Sequence, residues 1–269
     1  MNLRDLIVQI EKLGYNDEDA TARVCQDIVL KGIAKSTLSR NVTIKGGVVM
    51  RSLTGNIRRA TQDMDIDFIR YSLSDDSIDT FISKINCLDG VSIERIGQIL
   101  ELSQQDYHGK RVFIVISDDS GNSIESKIDL GVHNRLEINQ EEYCFDIAFD
   151  DEGASLLINS REQMVAKKLR SLLKFGKFST RFKDIFDIYY QCDKIDMTKF
   201  FICMDSFVFS DAEMRENNME DVYRRISKVF QDKVYKSTVD KSDKRWLDDD
   251  IDLIFDRILK FITSVNTGK

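Results

Sequence analysis

The sequence predicts an α+β protein, with mixed strands and helices to about residue 157 and helices alone from about 158 to 269. Three observations carry this. Strand patterns follow one another between Val91 and Phe149. The spacing turns helical after Ser160 and stays so to the end. A run of alternating aspartates sits inside an apolar stretch at Met64–Phe68, as a strand with two unlike faces would have it.

Each element has its own signal. Leu3 to Leu13 and Glu18 to Ala34 read as helices, the second opened by Asn16 or Asp17. Asn41 to Ile44 is a short β-branched strand running into Gly46-Gly47, and Val48 to Leu53 suits a helix. Met64 to Tyr71 alternates as a strand. Ser74 to Ile85 is a helix with acids in its first turn. Strands follow at Val91–Leu102, Arg111–Ile116, Ser123–Leu130 and Tyr143–Phe149, with a hairpin signal at Asp118 to Asn122. Turns are expected near Gly176, Asp193 and Asn217-Asn218, and the two parts are expected to pack around an active site.

Composition narrows the classes. The 269 residues are 42% hydrophobic and 32% charged, with a formal net charge of -7. That suffices for one large or two modest cores and argues against a chain coated in nucleic acid. The N-terminal MNLRDLIVQIEKLG has charges inside an amphipathic pattern, unlike a signal peptide. No apolar run approaches the ~18–20 residues that span a bilayer. The five cysteines, Cys25, Cys87, Cys144, Cys192 and Cys203, form no CxxC pair. They read as buried, reduced thiols of a cytoplasmic protein, without a zinc site. The chain has no proline, so Gly, Asn, Asp and Ser must shape its loops.

The chemistry concentrates between Lys45 and Phe68. Gly46 and Gly47 end a strand before a helix, where backbone amides can approach a phosphate. Asp63, Asp65 and Asp67 then share one face of a strand. Like charges stacked there repel, and a hard divalent cation such as magnesium or manganese reverses that sign. The stretch therefore points to a metal-dependent nucleotide site, set against the alternatives of an ordinary glycine turn and a solvated strand face. Asp129, in IESKIDLGV, is a candidate partner from a neighbouring strand, its Ile128 and Leu130 facing the other way. Lys167, Lys168, Arg170, Lys174, Lys177, Arg181 and Lys183 form a basic run with no acid between Glu162 and Asp184. Apolar faces at Met164, Val165, Leu169, Leu172 and Leu173, and at Phe182, Ile185, Phe186 and Tyr189, would let a helical hairpin aim Lys168 and Asp184 at one cleft. A solvated basic helix is the plain reading; attraction of triphosphate or RNA is the functional one. The acids at Asp248 to Asp252 open a helix pattern and read as its first turn. His108 and His133 show no ligand spacing, and no P-loop or dinucleotide-binding glycine pattern occurs.

The order KGG, RATQDMDID, KIDLG, EQMVAKKL, RFKDIFDIYY, from Thr43 to Tyr190, resembles the AbiEii-type nucleotidyltransferase toxins of the polymerase-β-like superfamily, with MenT toxins as relatives. The resemblance implies a polymerase-β-like domain, its mixed sheet largely antiparallel and flanked by helices, followed by an all-helical C-terminal domain. It implies metal binding by Asp63 and Asp65, with Asp129 as a third carboxylate and Asp67 as a possible ligand; the register Asp65/Asp67 stays open. Gly46, Gly47, Ser52, Arg59 and Lys168 fall on nucleotide-binding positions, and Asp184 orients the lysine or meets the nucleoside. Lys167 stands where the family has an acid, and Lys183 where it has an arginine, losing the forked donor. Implied further are magnesium or manganese, a nucleoside triphosphate (NTP) donor, tRNA or another RNA as acceptor, and an antitoxin that need not bind the toxin. Two other readings remain: a GTP-binding growth inhibitor without catalysis, and an antibiotic nucleotidyltransferase.

Overall fold

The computed structural model describes residues 1–102 and 109–264, so His108 lies outside the described residues. The chain divides into two compact units, Met1–Asn159 and Ser160–Lys269.

In the first unit, α1 (Leu3–Lys12) and α2 (Asp17–Lys35) precede β1 (Val42–Lys45) and α3 (Gly46–Thr54). Then come β2 (Met64–Phe68), α4 (Asp75–Ile85), β3 (Val91–Leu102), β4 (Gly109–Asp118), β5 (Ser123–Val132), β6 (Glu141–Ile147) and β7 (Asp150–Ile158). The helix starts follow their caps. Asn2, Asn16 and Ser74 accept the backbone N–H of Asp5, Asp19 and Ser77, each worth about 1 kcal/mol against alanine.

The seven strands form one sheet in the order β3-β4-β5-β2-β1-β7-β6. It is mixed and mainly antiparallel: β2 runs parallel to β5 and β1 parallel to β7, and the other pairings are antiparallel. The faces of β2 differ as its alternation demands. Met64, Ile66 and Phe68 are buried, as are Ile128 and Leu130 beside them. Helices α2 and α4 cover this side: Cys25 of α2 is buried there, and the Phe81 ring meets Phe68 edge-on at 5.2 Å, as does that of Tyr71 at 5.0 Å. Each such buried side chain stabilises by about 1.5–3 kcal/mol. The other face carries the aspartates.

Three strand expectations need correction. Strand β7 has no counterpart in the sequence reading, which ended the sheet at Phe149. Its opening Asp-Asp-Glu-Gly hides the alternation, and Gly153 sits at φ 68 where a Cβ would stand 2.6 Å from the Phe145 carbonyl. The β6–β7 register shifts at that point, as a bulge does. Strand β2 stops at Phe68 rather than Tyr71, because Arg70 takes φ 51 and leaves the sheet. Strand β6 likewise ends at Ile147, not Phe149.

A buried ion pair fastens α3. Asp27 of α2 lies 3.5 Å from the Arg51 guanidinium and accepts the Ala148 N–H at 3.1 Å. Both groups are fully sheltered, and burial pushes the Asp27 carboxyl up and the Arg51 guanidinium down from their ordinary pKa values.

The second unit is helical: α5 (Arg161–Phe175), α6 (Phe182–Gln191), α7 (Met197–Met204), α8 (Met219–Gln231), α9 (Lys233–Asp240) and α10 (Ile251–Ser264). A 3-10 turn, Gly176–Phe178, follows α5. Its core includes the buried Leu169, Leu172, Ile185, Phe186, Ile226, Trp246, Ile254 and Ile258. Among the described residues no helix is long and apolar enough to cross a membrane.

Candidate active site

The sheet registers place four charges on one level. Arg111 of β4 stands opposite Asp129 of β5, Asp129 opposite Asp65 of β2, and Asp65 opposite Lys45 of β1. Directly opposed residues project to the same face, so the row reads plus, minus, minus, plus across four strands. Three of the neighbouring carboxylates have a cation of their own. Arg111 grips Asp129 with both arms, at 2.7 and 2.9 Å. Lys45 lies 2.6 Å from Asp67, and Lys127 lies 2.8 Å from Asp63.

Asp65 differs. Among the described residues its carboxylate has neither a hydrogen bond nor an ion pair. Burial pushes its carboxyl up to about 6; Lys45 pulls it down, while Asp129, Asp63 and Asp67 push further upward.

The glycine turn lies directly against this carboxylate. Lys45 is the N-cap of α3 and offers no side-chain cap. Gly46 takes φ 68, and a Cβ there would stand 2.3 Å from Oδ2 of Asp65. A Cβ on Gly47 would stand 2.4–2.8 Å from the side chain of Thr61. Gln26 of α2 donates to the Thr61 carbonyl at 2.8 Å and holds that loop. Both glycines are therefore required by close approach, and they leave the uncapped start of α3 beside the acid row.

The donor set suits a hard divalent cation. Its oxygens come from carboxylates, and Asp65 stands without a partner inside a negative cluster. Magnesium commonly takes one or two carboxylates and completes its shell with phosphates and water. Among the described residues no three His, Cys, Asp or Glu side chains stand close enough to form a ready-made cage.

The remaining candidates are placed as follows. Ser52 is half-buried on α3, and its carbonyl accepts the Tyr143 hydroxyl at 3.1 Å. Arg59 is buried in the 3-10 turn Ile57–Arg59. Lys168 and Asp184 belong to the second unit and meet there, 2.5 Å apart. Lys167 turns instead toward the Phe207 ring, 5.2 Å from its centroid. Sequence reasoning missed Asp187, whose fully buried carboxylate lies 2.8 Å from Lys168 and accepts the Trp246 indole N–H at 3.1 Å. Its signal was an acid interrupting the apolar stripe of α6 one turn after Asp184.

Two other expectations change. The basic run is largely neutralised inside its own unit: Arg170 meets Asp211 and Glu213, Lys174 meets Glu213, and Lys177 meets Asp232. Those acids lie 39 to 55 residues away in sequence, so the run looked open. All five cysteines are free thiols, yet only Cys25, Cys192 and Cys203 are buried; Cys87 and Cys144 are exposed. His133 is buried in the loop after β5, its Nε2 3.3 Å from the Ile138 carbonyl.

A mixed sheet with this carboxylate row beside a Gly-Gly helix start has the nucleotidyltransferase fold, and the class is that of a nucleotidyltransferase. Residues 28–257 match the model of the nucleotidyl transferase AbiEii toxin family of type IV toxin–antitoxin systems, and the chain belongs to that family. No curated protein matches it. As a toxin of such a system it has a cognate antitoxin and uses a nucleoside triphosphate.

Proposed function

We propose that the protein transfers a nucleoside monophosphate from a nucleoside triphosphate to a hydroxyl of RNA, with tRNA as the expected acceptor, in a magnesium- or manganese-dependent reaction. The observation that carries this is the contact between Gly46 and the unpartnered Asp65 carboxylate. An oxygen donor and a phosphate-accepting backbone are thereby side by side.

In this reading the acceptor oxygen forms a bond to the α-phosphorus, the bond to pyrophosphate breaks, and the hydroxyl proton is released. A divalent cation held at the acid row would supply charge neutralisation for the triphosphate and for the acceptor hydroxyl as it loses its proton. Asp63 and Asp65 would hold it first, because the Lys45–Asp67 pair is buried while the Lys127–Asp63 pair is exposed. Lys127 must leave Asp63, which its half-exposed position permits. Asp129 would be a further ligand, oriented by Arg111. The Gly46 and Gly47 amides receive the terminal phosphates. Ser52, Arg59, Lys168 and Asp184 keep the nucleotide-handling roles that the family pattern implies. Such substrates place the reaction in the cytoplasm, and the antitoxin opposes it without having to bind this chain.

The test is incubation of the purified protein with each of four α-labelled triphosphates and total RNA, with and without magnesium. Label on RNA with one or more triphosphates, lost on chelation, supports the proposal. Absence of label with all four, from protein that folds, overturns it.

A further inference from the structure

We propose that the turn after α5, together with the exposed face of α8, is a surface that grips an unpaired stretch of RNA. The inference rests on the RNA-directed reading above and locates where the acceptor would be held.

Phe178 ends the 3-10 turn with 81% of its surface exposed, the most exposed of the large apolar side chains described, and Phe175 three residues before it is 47% exposed. A ring so placed contributes nothing to the core. The Lys177 ammonium lies 5.7 Å from the Phe178 ring centre. Gly176 takes φ 54, and a Cβ there would stand 3.3 Å from Nη2 of Arg225, so α8 brings that guanidinium onto the turn. Arg225, Lys228 and Arg181 are exposed. Among the described residues none of the three has an ion pair, unlike Lys174 and Lys177, whose charges Glu213 and Asp232 offset.

An exposed aromatic ring on a turn that Arg225 reaches, with exposed Arg181 three residues further along the chain and exposed Lys228 one turn along α8, matches a ligand that is anionic and also offers a flat π-face. Unpaired RNA has both: phosphates for Arg225, Lys228 and Arg181, and a base to stack on Phe178. A duplex hides its bases, so the surface selects single-stranded segments. An acidic protein segment would satisfy the cations but leave the ring without a planar partner.

The experiment is fluorescence anisotropy with the full chain, no triphosphate present, and a labelled 15-nucleotide single-stranded oligoribonucleotide, compared with the same sequence as a duplex. The wild type is expected to prefer the single strand. Phe178→Ala should weaken that binding roughly 5- to 100-fold, and Phe178→Trp should keep it. Arg225→Gln with Lys228→Gln should flatten the salt dependence by about one to two in log–log slope. These positions are exposed, so the variants fold, and their triphosphate binding without RNA should equal the wild type's. Equal RNA affinity in wild type and Phe178→Ala overturns the inference and leaves the transfer reading standing. So does a wild type without affinity for the single strand, including the case in which the patch captures a protein instead. If no label ever reaches RNA while binding still depends on Phe178, the transfer reading fails and this one holds.

Discussion

Gly46 and Asp65 are in van der Waals contact across the start of α3, with no room between them for a methyl group: a Cβ on the glycine would overlap Oδ2 of the acid at 2.3 Å. Gly46→Ala must displace the carboxylate and also hold alanine at φ 68, a left-handed conformation costing about 1 kcal/mol. Because a carboxylate can swing, the expected stability loss is modest, about 1–2 kcal/mol, while nucleotide transfer should fall more than 100-fold. Urea unfolding and the labelled-transfer assay separate the two. Transfer within threefold of wild type would show that the contact is incidental.

The Asp65 carboxyl, pushed up to about 6 by burial and its acidic neighbours, makes stability depend on pH. The folded state binds this proton more tightly than the unfolded chain, whose carboxyl titrates near 4. The contribution is therefore fully present below about pH 4 and lost as pH rises through 6. Asp65→Asn should be more stable than wild type at pH 7.5, on the order of 2 kcal/mol, with the difference vanishing at pH 4. Thermal melts without divalent cations at both pH values check this; an equal difference at the two would refute it.

Asp63 is half-exposed and its ion pair with Lys127 is a surface one, so it adds little to stability. Asp63→Ala should leave the melting temperature within a degree or two and reduce transfer by about 10²- to 10³-fold, as loss of a key electrostatic group does. A fully active, well-folded variant would remove Asp63 from the site.

Lys168 lies between Asp184 and the buried Asp187, which Trp246 also holds. Lys168→Ala takes a cation 2.8 Å away from the fully buried Asp187, a loss of about 3 kcal/mol. Adding Asp187→Asn should restore part of that stability without restoring triphosphate use. Denaturant titration of the single and double variants reads the first effect, and the triphosphate concentration giving half-maximal transfer reads the second. An additive double variant would mean the two residues are not coupled.

Asp118 closes the β4–β5 hairpin and ties it to the start of α1, accepting N–H groups of Leu3, Ser120 and Asn122 and the Asn122 amide, all at 2.9 Å. Those bonds, led by the Asn122 amide, bring its carboxyl down to about 2. The stabilisation is present above about pH 4 and lost as pH falls through 2. Asp118→Asn should unfold at lower denaturant than wild type at pH 7, and the two should converge toward pH 2. Parallel curves across that range would contradict the assignment.

Much of the architecture was readable residue by residue. The capped helices α1, α2 and α4, strand β3 and the β4–β5 hairpin fall where the amphipathic spacing and turn residues put them, because caps, periodicity and turns act over a few neighbours in the chain. The Gly46-Gly47 pair and the alternating acids were visible for the same reason. Strand β7, the pairing of Lys168 with an Asp187 that Trp246 holds, and the offsetting of the basic run by Asp211, Glu213 and Asp232 were not. Nor could spacing single out Asp65: its lack of a partner follows from Lys45, Lys127 and Arg111 each reaching a different acid across strand registers. Charge pairing and burial depend on which distant segments meet. A linear pattern says which face a side chain takes, and folding alone says what stands opposite it.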